Sequence, residues 1–79
     1  MDIKVYNLRI VITDYKETDE EITNTFFSSR VAAIRAAQKR HSKQPLNVSI
    51  SAVWTAVYCA TINEYGTKIG KRIYNLYKK

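Results

Sequence analysis

Seventy-nine residues allow one domain and no second, and a composition that is 46% hydrophobic and 25% charged, with two Gly and one Pro, excludes a disordered or low-complexity chain. Thirteen Lys and Arg against seven Asp and Glu give a net charge of +6. The excess is uneven: residues 1–29 hold three basic and six acidic side chains, whereas residues 30–79 hold ten basic ones and only Glu64 as an acid.

The opening stretch "MDIKVYN" lacks a basic region followed by an apolar run and a small-residue cleavage site, so no export signal is expected. "IKVYNLRIVITDY" alternates, placing Tyr6, Leu8, Ile10 and Ile12 on one side and Asn7, Arg9, Val11 and Thr13 on the other. That pattern predicts a strand with one buried face. "DYKETDEE" holds five of the seven acids and reads as a solvated hairpin loop. "EITNTFFS", rich in β-branched and aromatic residues, is then a short second strand, although it could instead belong to the segment that follows.

In "SRVAAIRAAQKRHSK" four alanines favour helix, and Ser28 or Ser29 is placed to cap its first turn. Helical periodicity puts Ala33, Ile34, Ala37 and His41 on one side and Arg35, Lys39 and Lys43 on the opposite side. Pro45 helps to end the helix. Like charges at this spacing weaken a helix slightly, so a stripe of cations without Glu partners is better explained by phosphate contact than by stability.

"LNVSISAVWTAVYCATINEYG" predicts a long strand, since a helix there would be built from mediocre formers such as Val, Thr, Trp and Tyr. Val48, Ile50, Ala52, Trp54, Ala56, Tyr58, Ala60 and Ile62 share one face. Small residues alternating with large ones suit an alanine-rich helix, so the Trp54 face is expected to be core. The competing reading leaves Trp54 and Tyr58 on an open platform where bases could stack. Fifteen residues at roughly 3.3 Å each reach about 50 Å, whereas a globule of this size is about 30 Å across. The strand is therefore expected to bend, break or pair with a second chain. A turn around "NEYGTKIG" leads to "KRIYNLYKK", a final strand whose pattern leaves either face free to point inward.

The predicted architecture is thus α+β: one antiparallel sheet of three or four strands, in the order β-β-α-β-β or β-α-β-β, with one helix packed on one face and the whole chain, 1–79, as one domain. Enzymatic readings find little support. His41 and Cys59 are the only His and Cys, and a nucleophile pair would require His41 to leave its apolar helix face. No ligand cluster has metal spacing, Gly66 and Gly70 do not form a phosphate loop, and no cofactor is implied. The longest weakly polar run, Ala52 to Ile62, is too short to span a bilayer. The lone Cys59 forms no internal disulfide, so a cytoplasmic location is expected.

The charge pattern points to a small non-enzymatic nucleic-acid-binding accessory protein, with an Ile, Lys, Asn and Tyr usage that fits an AT-rich phage, plasmid or bacterial genome. Arg35, Lys39, Arg40 and Lys43 are the expected phosphate contacts. Lys68, Lys71, Arg72 and Tyr74 form a second basic and aromatic group of the kind that serves single strands. The alternative is a protein-binding inhibitor or adaptor, for example one blocking a host nucleic-acid enzyme or defence complex. A homodimer joined through the long strand or an edge strand is a third option.

Overall fold

The predicted alternation of the first segment forms strand β1 (Ile3–Asp14), and the following β2 (Asp19–Phe27) pairs with it antiparallel. In the computed structural model, which describes residues 1–79, the helix α1 is Arg30–Lys43, β3 is Ile50–Asn63 and β4 is Gly66–Lys78. The four strands make one antiparallel sheet in the order β2-β1-β3-β4, with α1 on one face. The element order is β-β-α-β-β.

Local chemistry sets the boundaries. The first hairpin turns at Asp14, whose Oδ1 accepts from the amides of Lys16 and Thr18, both at 2.9 Å. Glu17 takes a left-handed φ of 63° there. The loop is shorter than the acidic run suggests: Asp19, Glu20 and Glu21 already lie in β2. Ser29 caps α1, its Oγ accepting from the Ala32 amide at 3.3 Å. The second hairpin turns at Glu64 and Tyr65 alone, so the "GTKIG" expected in the turn is the start of β4.

The core is a helix-on-sheet contact made by Leu8, Ile10, Val53 and Val57 from the two central strands and Ala33 and Ala37 from α1. Ala33 and Ala37, four residues apart, carry only methyl groups, so the helix backbone comes close to the sheet. His41 lies on this side too, its Nδ1 at 2.8 Å from the hydroxyl of the fully buried Thr55.

This arrangement reverses the expected facing of β3. Leu8 pairs with Val57, Ile10 with Thr55 and Ile12 with Val53. The inward face of β1 therefore brings Val53, Thr55 and Val57 under the helix and turns Trp54 outward, 44% exposed. Both faces of β3 contain apolar residues, and only the register with β1 distinguishes them. Ala52, Ala56 and Ala60 are buried on the outward face by their larger neighbours.

The long strand neither breaks nor overhangs. The molecule itself measures 46 × 24 × 15 Å, because β1, β3 and β4 are all 12 to 14 residues long and run alongside one another. The globule assumed from chain length is the premise that fails. Irregularities fall mainly at the edges: β2 carries an extra residue at Ile22, and β4 carries one at Ile73 and another between Ile69 and Arg72. The one at Ile73 explains the blurred pattern of the last strand, since consecutive Ile73 and Tyr74 both pack against the core.

Candidate nucleic-acid interface

One helix covers one face, and the other face of the sheet is open. Its residues fall into rows across the strands. Phe26, Asn7, Tyr58 and Arg72 form one row; Asn24, Arg9, Ala56 and Asn75 the next; Glu21, Val11, Trp54 and Tyr77 the third. Trp54 and Tyr58 stand on central strand β3 with the small, buried Ala56 between them. The result is a shallow depression of about 260 Å³ lined by Arg9, Val11, Trp54, Ala56, Tyr58 and Arg72, with Asp19 and Glu21 at its β2 side.

Cations and aromatic rings alternate on this surface. The Arg9 guanidinium lies 5.6 Å from the centroid of Tyr58, and that of Arg72 lies 5.5 Å from Trp54. Tyr77 meets Trp54 edge-on, with centroids 5.9 Å apart and planes at 75°. The aromatic faces attract the cations through their quadrupoles. Arg9 is held further by Asn7, whose Oδ1 accepts from Arg9 Nε at 2.7 Å. Asn7 is fully buried and in turn donates to the Asn24 side chain. Arg9 is thus held in one orientation by a chain of side-chain hydrogen bonds.

The predicted basic residues are distributed over different surfaces. Arg35, Lys39 and Lys43 are exposed on α1, on the side of the sheet opposite Trp54. Arg40, the fourth expected phosphate contact, is turned toward β2 instead: half-buried, it donates to Thr25 Oγ1 at 3.1 Å and lies 5.8 Å from the Phe27 ring. Lys68, Lys71 and Arg72 are exposed on edge strand β4, and of these Arg72 lines the depression. Tyr74 packs against the core, and its hydroxyl accepts from Gln38 Nε2 at 3.1 Å, so its ring serves the helix contact. Arg9, Trp54, Tyr58 and Glu21 complete the open surface. The alternation of β1 already pointed Asn7 and Arg9 away from its apolar side, but their convergence with Trp54 and Tyr58 required the β1–β3 register.

Elsewhere the chain offers little reactive chemistry. Cys59 is a half-buried free thiol paired opposite Tyr6. It lies four residues along β3 from the Thr55 that holds His41, a separation of roughly 13 Å that precludes a Cys–His pair. No group of His, Cys, Asp and Glu side chains is placed to hold a metal ion. No helix is long and apolar enough to cross a membrane. No family model, curated protein or solved structure matches the chain.

Proposed function

We propose that this is a non-enzymatic protein that binds single-stranded nucleic acid on the open face of its sheet, in the cytoplasm of a cell or an infected host. The observation that carries the reading is the pairing of Arg9 with Tyr58 and of Arg72 with Trp54 on an uncovered surface. Bases stack on aromatic faces, and the interleaved guanidiniums meet the phosphates between them. A duplex conceals its base faces, so this surface favours unpaired strands. The exposed helix cations Arg35, Lys39 and Lys43 act from the opposite side, adding to the positive field that steers a polyanion toward the molecule.

Fluorescence anisotropy with labelled single- and double-stranded oligonucleotides at two salt concentrations tests this. Single strands are expected to bind more tightly, and to weaken steeply as salt rises. Trp54→Ala should reduce affinity about tenfold or more, the usual scale for one lost stacking partner. Arg72→Ala should flatten the salt dependence, by roughly 0.7 in the logarithmic slope if one phosphate contact is lost. If Arg35→Ala and Lys39→Ala abolish binding while Trp54→Ala is silent, the interface is the helix and the sheet-face reading fails.

The adaptor reading would use an open strand edge to recruit a partner protein. β4 presents such an edge, yet its register shifts and its Lys68, Lys71 and Arg72 interrupt the ladder that an added strand would need. A protein partner that co-purifies in stoichiometric amount after nuclease treatment would favour the adaptor instead.

A further inference from the structure

The open face carries two carboxylates where a surface meant only for phosphate should carry none. Asp19 is engaged: its Oδ1 accepts from the Thr13 hydroxyl at 2.7 Å. Glu21 has no such role. It is exposed at the rim of a depression that contains Arg9 and Arg72, yet it forms no ion pair, the single ion pair of the molecule being that of the Met1 amino group with Glu64. Glu21 therefore presents two free acceptor oxygens to whatever occupies the depression.

Its position relative to the stacking surface is defined by strand register. Glu21 pairs with Val11, and Val11 pairs with Trp54, so the three lie in one row across β2, β1 and β3. Two strand spacings separate Glu21 from Trp54, about 10 Å between backbones, with only the apolar Val11 between them. A base stacked on the indole and extending over Val11 turns one edge toward the carboxylate.

On the sheet-face reading above, we propose that this row is a guanine-selective subsite: Trp54 stacks the base, Val11 floors it, and Glu21 accepts from its Watson–Crick edge. Guanine alone among the common bases offers two adjacent donors there, N1–H and the N2 amino group, which match the two oxygens of one carboxylate. Adenine and cytosine each set a ring acceptor beside their amino group, and uracil or thymine flanks its one N–H with two carbonyl oxygens. Each of those mismatches points a lone pair at the carboxylate. Bidentate hydrogen bonds to an ionised group are the strong kind, and one such pair commonly gives about tenfold or greater discrimination.

The test uses fluorescently labelled oligothymidine decamers with a single dG, dA, dC or dT at the centre, titrated by anisotropy against the full-length protein and its Glu21→Gln variant. The dG decamer is expected to bind about tenfold more tightly than the other three. Glu21→Gln, which loses one acceptor and the negative charge, should erase that preference while tightening binding of the remaining decamers. Equal binding of all four decamers overturns the guanine subsite and leaves the sheet-face reading standing; a guanine preference that persists in Glu21→Gln also overturns it. Absence of binding by every decamer at low salt removes both.

Discussion

The imidazole of His41 meets the Thr55 hydroxyl, at 2.8 Å from Nδ1, and the residue's backbone carbonyl accepts from Lys78 Nζ, at the end of β4, at 2.7 Å. Burial of the ring, reinforced by the Lys78 ammonium, lowers its pKa below the ordinary 6.5. The unfolded chain therefore takes up this proton near pH 6.5 and the folded chain only at lower pH. Between those values the unfolded state binds more protons, so stability is full above about pH 6.5 and falls as the pH drops beneath it. Urea unfolding at pH 7.5 and 5.5 should show that loss in the wild type and a smaller one in His41→Gln. Equal losses in the two proteins would assign the acid response to other groups. Glu17 makes a different single-residue point. Its φ of 63° is a conformation that glycine adopts without the cost a side chain incurs. Glu17→Gly is expected to raise the unfolding free energy by up to about 1 kcal/mol, the usual gain when left-handed strain is relieved less the added chain entropy. A fall in the urea midpoint would contradict it.

Among the elements, α1 depends most on small size. Ala33 and Ala37 are fully buried against Leu8, Val53 and Val57, and the helix has no other fully buried residue with which to hold the sheet. Ala37→Leu would drive three extra carbons into that contact and lift the helix. The expected cost is about 1–3 kcal/mol, read as a lower urea midpoint. For a chain of this length, whose total stability is on the order of 4–12 kcal/mol, that is a substantial fraction. An unchanged midpoint would mean that the helix-sheet contact is looser than its burial implies. The same contact shows what was legible beforehand. Helical periodicity grouped Ala33, Ile34, Ala37 and His41, and Ala33, Ala37 and His41 do meet the sheet. Arg40 could not be placed in the same way. Its long side chain reaches past the helix flank to Thr25 and Phe27, and that reach depends on where β2 lies.

On the scale of the whole molecule, a helix of 14 residues is about 21 Å long, while the sheet extends along a 46 Å axis. The helix thus protects only part of the ladder. β2 ends at Phe27, opposite Tyr6, so beyond that point the sheet narrows to the start of β1, the end of β3 and the start of β4. Ile3 is 58% exposed and Tyr65 is 91% exposed in this narrow end. Amides covered by no packed layer open without global unfolding. Hydrogen exchange is therefore expected to be faster for Thr61 to Asn63, at the narrow end, than for Val53 to Val57, which belong to the same long strand but lie beneath the helix. Uniform protection along β3 would show that the narrow end is held as firmly as the core, for instance by a second chain.

The sequence alone located the helix and most of the strands, because period-two and helical patterns, alanine content and a serine cap are local properties of the chain; it left "EITNTFFS" open between strand and helix and assigned "GTKIG" to a turn. It also determined the asymmetric charge, and with it the expectation of a polyanionic ligand. What it left open was every choice that depends on how separate segments meet. Trp54 and Val53 are both apolar, and neither carries a mark of inside or outside. Pairing Leu8 with Val57 decides the matter by committing the Val53, Thr55 and Val57 side of β3 to the face that β1 already buries. That register turns Trp54 and Tyr58 outward beside Arg9 and Arg72 and moves the candidate binding surface from the helix to the open sheet.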